Sequence, residues 1–347
     1  MDKPVGLMSV PSNLLRNKLG RKTAFYYLLR QLAIPADWFL GQALLKLART
    51  ARCEEGIEPI FIIGLPRSGT TLLYQYLSCV CDVTYTSTLW SILPRSAPSL
   101  DFILNQIPPL EFDSFFGNGG CLRSVSEGKN IMNRIVRNKD GVEKQRATDY
   151  ARRVVERTGR PWLIKDVRNC VRLSLLFELF PKAKYIWLRR RLSAVAQSIS
   201  LGRQTLRGSC KSNWTMLPEN WQSAAELPYP EQIAHQVFLL ERQVERSLRS
   251  LDQRNVIEVD YHGFCSAPFR VAAGICQKFE GIRLRDSMAQ CLFSMRFIPS
   301  DQRRIPLRDY ERIENELRNL SAPGPLLENS TSGKSPVEGR QMLVRPE

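Results

Sequence analysis

Pro59-Ile60-Phe61-Ile62-Ile63 is an apolar run without polar interruption, the pattern of a strand buried on both faces in a parallel sheet. The segment from Gly64 to Gly69 follows. From Thr70 to Val80 the apolar positions Leu72, Leu73, Tyr76, Leu77 and Val80 then fall at helical spacing, so the order is strand, glycine-bounded loop, helix. Further buried strands are predicted at Trp162-Leu163-Ile164, at Lys184-Tyr185-Ile186-Trp187-Leu188 and at Asn255-Val256-Ile257-Glu258-Val259. Helices are predicted around them, over Arg172 to Phe180, Ser193 to Gly202, residues 231 to 251 and residues 269 to 281. Alternation of this kind marks an α/β fold, a doubly wound central parallel sheet flanked by helices, with ligands expected at the carboxyl ends of the strands.

The flanks read differently. Residues 1 to 55 mix apolar groups such as Phe25, Tyr26, Leu32, Trp38 and Phe39 with nine Lys/Arg against four Asp/Glu, and Pro35 separates two expected helices. Such a basic amphipathic segment packs on a domain or lies on a membrane surface. Residues 95 to 145 are rich in Pro, Gly, Asn and charge, as expected of an insertion that covers a site like a lid. An irregular stretch follows Trp214, and from Ser321 onward Pro, Gly and Ser dominate, which predicts a disordered tail over 321–347. The expected organisation is a helical N-terminal segment over 1–55, packed on an α/β domain over 56–320, and the tail.

Composition adds the partner class. The 347 residues carry a formal charge of +16, an excess that favours anionic partners: nucleic acid, anionic membrane or a multiply phosphorylated small molecule. Nine cysteines without framework spacing read as reduced thiols, and two histidines, His235 and His262, exclude a His-rich metal centre. No run approaches the length of a membrane span, and the first residues lack a signal-peptide pattern, so a cytoplasmic protein, at most membrane-peripheral, is expected.

Gly64-Leu65-Pro66-Arg67-Ser68-Gly69-Thr70-Thr71 overlays the phosphate-loop pattern G-x-x-x-x-G-K-[ST], with Thr70 in place of the lysine. Glycines let the backbone amides curl around a phosphate, and the following helix adds its positive N-terminal end. In nucleotide triphosphatases that lysine reaches the β and γ phosphates. Here Arg67 supplies the cation, and Ser68, Thr70 and Thr71 supply hydroxyl donors, a set suited to one terminal phosphate or sulfo group without metal.

Pro66 to Thr71 resembles the 5′-phosphosulfate loop of the sulfotransferase family, whose donor is 3′-phosphoadenosine-5′-phosphosulfate (PAPS). The strand from Lys184 to Leu188, the arginine after it and a serine eight residues on resemble the family's 3′-phosphate motif, which implies that Arg190 and Ser198 grip that phosphate. Independently, seven Lys/Arg and no acid lie between Lys184 and Lys211, a local field that favours a dianion. Arg191, Leu192 and Ser193 stand where Asp-Pro-Arg type residues are common. Trp162-Leu163-Ile164-Lys165-Asp166 is similar to the strand ending in Lys-Asp-Pro of tyrosylprotein and bacterial sulfotransferases, with Val167 for the proline. Lys165 is then either a cation that neutralises charge on the bridging oxygen or a surface lysine at a strand end. Asp260-Tyr261-His262-Gly263-Phe264 resembles the family's Tyr-Glu-Asp-Leu motif with both acids lost.

Sulfuryl transfer also needs a base for the acceptor hydroxyl. The family's familiar bases are absent: Val167 replaces the histidine of cytosolic members, and Ser87 and Thr88 replace the glutamate of tyrosylprotein members. Glu127, in the lid-like insertion, is the first candidate and His262 the second, with Asp166 a partner for Lys165 or Arg168 and His235 structural. Ser300, Arg303 and Arg304 are expected to close over the donor as a basic C-terminal loop does in the family. The resulting reading is a metal-independent, PAPS-dependent sulfotransferase with a hydroxyl-bearing small molecule, glycan, lipid or peptide as acceptor and no nucleic-acid partner. Its rivals are a P-loop kinase or nucleotide triphosphatase, a non-catalytic basic nucleotide- or nucleic-acid-binding protein, and a family member that has lost its base. Phe112, Phe115, Phe116, Trp214 and Trp221 hint at a ring-containing acceptor.

Overall fold

The apolar run ahead of the glycine loop forms β1 (Ile60–Ile63), with all four side chains buried. The chain continues through α1 (Thr70–Val80), β2 (Thr84–Tyr85), α2 (Thr88–Ile92), α3 (Gly141–Thr158), β3 (Trp162–Lys165), α4 (Leu173–Leu179) and β4 (Lys184–Arg189). Then come α5 (Leu192–Arg207), α6 (Tyr229–Arg249), β5 (Val256–Asp260), α7 (Tyr261–Ser266), α8 (Pro268–Lys278), α9 (Asp286–Leu292) and α10 (Leu307–Ser321). The computed structural model describes residues 58–97, 99–100, 112, 121–128, 131–132, 141–211 and 214–322, together with 25, 29, 32–33 and 35–41. The rest of the 1–55 segment and of the 95–145 insertion, and the tail beyond residue 322, lie outside the described residues.

The strands form one sheet in the order β2-β3-β1-β4-β5, with every pairing parallel. Successive side chains of a strand point to opposite faces, and the core divides accordingly. Phe61 and Ile63 join Trp162, Ile164, Tyr185 and Trp187 on one face, beneath α5, α6 and α10. Ile60 and Ile62 join Leu163, Ile186 and Leu188 on the other, beneath α1, α7 and α8. Helices on both faces of a parallel sheet are what a run without polar alternation requires.

Two departures from the sequence pattern have local causes. The helix after Ser193 does not stop at Gly202 but runs to Arg207, where Gly208 caps it at φ 73°. Gly202 serves packing instead: a Cβ there would meet the Trp214 ring at 2.1 Å. The helix expected over 269–281 is preceded by a second one, α7, which leaves β5 directly because the Asp260 carboxylate accepts from the Gly263 amide. Pro268 then starts α8 from its first turn. The helices α2, α3, α9 and α10, and the short edge strand β2, lie where no element was expected.

Part of the N-terminal segment docks on the turn after α2. The Asp37 carboxylate accepts from the Arg95 and Ser96 amides, at 3.2 and 3.0 Å, and from the Ser96 hydroxyl. Among the described residues no helix is long and apolar enough to cross a membrane.

Gly69, at the N-terminus of α1, has φ 98°, and a Cβ there would lie 2.5 Å from the Tyr261 ring. Gly69→Ala combines left-handed backbone strain with that clash, and is expected to destabilise the fold by about 1–3 kcal/mol. Urea unfolding checks it; an unchanged midpoint would mean that the loop does not need glycine there.

Candidate functional site

The carboxyl edge of the sheet is where the buried strands end and polar chemistry begins. Between β1 and α1 the loop closes tightly: a Cβ on Gly64 would lie 2.8 Å from Ser68 Oγ and 2.9 Å from the Leu188 carbonyl. The Ser68 amide donates to Leu65 O at 3.1 Å, which forces Arg67 to φ 71°. The positive-φ non-glycine residues among those described are Arg67 and Thr215, and both line one cavity. Left-handed backbone at such residues costs free energy and clusters at sites of function. Ser68 is buried, and its Oγ has no hydrogen-bond partner among the described residues.

Beside the loop, β4 delivers two arginines with different fates. Arg189 is tied to Glu241 of α6 and Glu258 of β5. Arg190 turns toward the loop, where its Nη1 donates to the Arg67 carbonyl at 3.0 Å and its Nη2 to Ser300 Oγ at 3.1 Å. Its guanidinium lies 4.3 Å above the Tyr261 ring, a cation–π contact, and pairs with Asp301. Arg67 Nε donates to Ser198 Oγ on α5 at 3.1 Å, so the two expected phosphate motifs are in direct contact. The acid-free segment from Lys184 to Lys211 is therefore not a uniform positive field: acids distant in sequence pair Arg189 and Arg191, and Arg203 is buried against Gln232 and Gln236 with its pKa lowered by burial to about 10.

Glu127 is not a solvated loop carboxylate. Its segment pairs with the chain after β2 through an antiparallel bridge between Ser87 and Val125, with the Ser126 amide donating to Thr86 O at 2.8 Å. Gly128, at φ 56°, lets the segment pass Thr86, whose Cγ2 lies 2.7 Å from where a Cβ would be. Glu127 is 7% exposed and its Oε1 accepts from Lys165 Nζ at 2.5 Å. Lys165, 4% exposed at the end of β3, also donates to Thr71 Oγ1 at 3.1 Å. Ser87 and Thr88, the positions that lack the expected glutamate, thus abut the segment that carries one.

These groups share a cavity of about 920 Å³, whose lining includes Arg67, Thr70, Thr71, Glu127, Lys165, Arg190 and Ser198. Burial and the neighbouring Arg190 and Arg304 cations hold the Arg67 pKa below its ordinary value, a sign of accumulated positive charge that an anion would relieve. Ser300 and Arg304 line the cavity with Phe112, Trp214 and Met216. His262 meets Asp301 at 2.6 Å, His235 pairs with Glu316, and Asp166 pairs with Arg168 and not with Lys165. Trp221 is a core residue, and Phe115 and Phe116 lie outside the described residues. Asp301 and the packing role of Tyr261 escaped sequence reasoning. The only available signal for the first was an acid between Ser300 and Arg303 in an otherwise basic stretch.

Residues 59–286, well over half of the chain, match the model of the sulfotransferase family. No curated protein matches the chain. Among solved structures it is similar to sulfotransferase STF1 from Mycobacterium tuberculosis H37Rv, at 16% identity and a TM-score of 0.49, over 89% of this chain and 90% of that one. It is also similar to sulfotransferase STF9 from Mycobacterium avium, at 15% identity and a TM-score of 0.42, over 92% of this chain and 83% of that one.

Removing one partner of a buried ion pair strands the other charge, at a cost of about 3–5 kcal/mol. Lys165→Met is expected to lose that much stability in urea unfolding, and Lys165→Met combined with Glu127→Gln to lose less. A double variant no better than the single one would show that the pair is not energetically coupled.

Proposed function

The chain belongs to the sulfotransferase family, and on that premise we propose that it transfers a sulfuryl group from PAPS to a hydroxyl-bearing acceptor. What carries the reading is the meeting, in one cavity, of the arginine cluster built by Arg67 and Arg190 with the buried Glu127–Lys165–Thr71 chain.

The residues present fit such a donor. The buried Ser68 Oγ lacks a partner among the described residues, the glycine at position 69 keeps the loop open beneath Tyr261, and burial together with the neighbouring Arg190 and Arg304 cations lowers the Arg67 pKa. When bound, PAPS supplies an activated sulfuryl group together with a phosphate leaving group. Arg67, Ser68, Gly69, Thr70 and Thr71 would hold its 5′ end through side-chain donors, loop amides and the N-terminus of α1. Arg190 and Ser198 would hold the 3′-phosphate.

Glu127 would take the acceptor proton on its carboxylate, which Lys165 holds through Oε1. The ion pair with Lys165 orients the carboxylate, and a fixed orientation is what proton transfer from a bound hydroxyl requires. Lys165, bonded to both Glu127 and Thr71, also brings positive charge next to the loop, where negative charge develops as the sulfuryl group leaves phosphate. His262 pairs with Asp301 and is not among the residues that line the cavity, which disfavours it as the base. The kinase reading is not favoured by the family match, and Thr70 stands where a triphosphate would need lysine.

Calorimetry separates the readings: adenosine 3′,5′-bisphosphate should bind and ATP with magnesium should not, and a preference for ATP would overturn the proposal. Charge-assisted hydrogen bonds contribute about 1.5–3 kcal/mol each, so Arg190→Ala is expected to weaken bisphosphate binding by about 10- to 100-fold. Glu127→Gln should retain that binding while turnover falls by about 100-fold or more; undiminished turnover would remove Glu127 from the mechanism.

A further inference from the structure

The Arg190 guanidinium is already engaged before any nucleotide arrives. A guanidinium has five N–H bonds. On Arg190, Nε donates to Asp301 Oδ1 at 2.8 Å, Nη2 to the same oxygen and to Ser300 Oγ, and Nη1 to the Arg67 carbonyl, so four of them are committed. The side chain is 5% exposed, with the Tyr261 ring against one face. A phosphate needs at least two parallel N–H donors for a bidentate grip, and the parallel Nε and Nη2 pair of Arg190 is the one that Asp301 holds.

Asp301 has somewhere to go. Its second oxygen, Oδ2, lies 2.6 Å from His262 Nε2, and the His262 side chain is 51% exposed and able to follow it. The backbone around Asp301 is anchored without its carboxylate. Gln197 Nε2 donates to the Gln302 carbonyl at 3.2 Å, Gln197 Oε1 accepts from the Arg304 amide at 3.1 Å, and Arg304 Nη2 donates to the Ser300 carbonyl at 3.0 Å. Buried Ile305 pins the end of the segment. The carboxylate is thus a movable group on a fixed strap.

We propose that Asp301 is a built-in anion that competes with the donor's 3′-phosphate for Arg190 and so weakens the hold on both the donor and the bisphosphate product. The proposal rests on the reading of Arg190 as the 3′-phosphate clamp. The carboxylate neutralises a buried arginine that would otherwise carry an uncompensated charge. On binding, the dianionic phosphate replaces the monoanionic carboxylate on Nε and Nη2, and Asp301 keeps His262 as its partner. The exchange subtracts the broken Asp301–Arg190 contact from the affinity for every ligand that bears a 3′-phosphate, and leaves ligands without one unaffected. Asp301 therefore tunes affinity, and with it the rate of product release, without touching the reacting atoms.

Calorimetry on the full chain tests this with adenosine 3′,5′-bisphosphate and adenosine 5′-monophosphate as probes. Asp301→Asn is expected to tighten the bisphosphate by about tenfold, the value of one charge-assisted contact, while the monophosphate changes by less than about threefold. Asp301→Ser carries the same expectation and guards against a folding defect peculiar to one substitution. Equal or weaker bisphosphate binding in these variants would overturn the proposal, because Asp301 would then be holding Arg190 in place for the phosphate. An equal gain for both nucleotides would overturn it too, as a general charge effect. Arg190→Ala separates the underlying reading: if it leaves the preference for the bisphosphate intact, the clamp is misassigned whatever Asp301 does. If it abolishes that preference while Asp301→Asn tightens nothing, the clamp stands and only the competition fails.

Discussion

A parallel sheet covered by helices on both faces has no exposed face on which to place polar chemistry, and its carboxyl edge is left to carry the site. The register of β1 between its neighbours decides what gathers there. Ile62 pairs with Lys165 on one side and Ile63 with Trp187 on the other. The loop from Gly64 therefore emerges with a lysine at the end of one adjacent strand and Arg190 just past the end of the other. Shifting β3 by one residue would exchange the side chains it sends to the two core layers and carry Lys165 to the other one. The hydrophobic packing of Phe61, Ile63, Trp162 and Tyr185 against one layer of helices thus fixes the positions of charged groups that it never touches.

Once the cations are gathered, they must be kept from repelling one another, and acids remote in sequence achieve this selectively. Glu241, Glu258 and Glu314 take Arg189 and Arg191 out of play. Glu127 compensates Lys165, and Asp301 compensates Arg190. The buried Arg67, crowded by Arg190 and Arg304, keeps a lowered pKa. The cluster is stable without ligand because its charges are partly answered, and receptive to an anion because they are only partly answered. Its two halves differ in kind: the Lys165–Glu127 pair is buried on both sides, whereas Asp301 shares its carboxylate between Arg190 and a half-exposed histidine.

The antiparallel pairing of residues 124–126 with residues 86–88 links the two sides of this design. It carries a carboxylate from outside the sheet to the end of β3 and places it on a lysine that also bonds the loop helix through Thr71. The groups proposed to hold the donor and to accept the proton thereby share one frame, and in-line transfer depends on such fixed relative placement.

The sequence alone determined the parts whose causes are local. The uninterrupted run from Ile60 to Ile63, the glycines at 64 and 69, and the helical spacing to Val80 define strand, loop and helix because backbone sterics and apolar periodicity act over a few residues. The positions of Arg67, Ser68, Arg190 and Ser198 at the carboxyl edge of the sheet were legible for the same reason, each lying at a fixed offset from a strand end. Local periodicity failed at Gly202, which continues α5 because Trp214 needs the space, and at α10, whose polar sequence is held as a helix by burying Ile313 and Leu317 against α6. Only the tertiary structure could bring Glu127 to Lys165 across 38 positions or Asp301 to Arg190 across 111. A charge finds its partner through space, and the fold, not the spacing along the chain, decides which charges become neighbours.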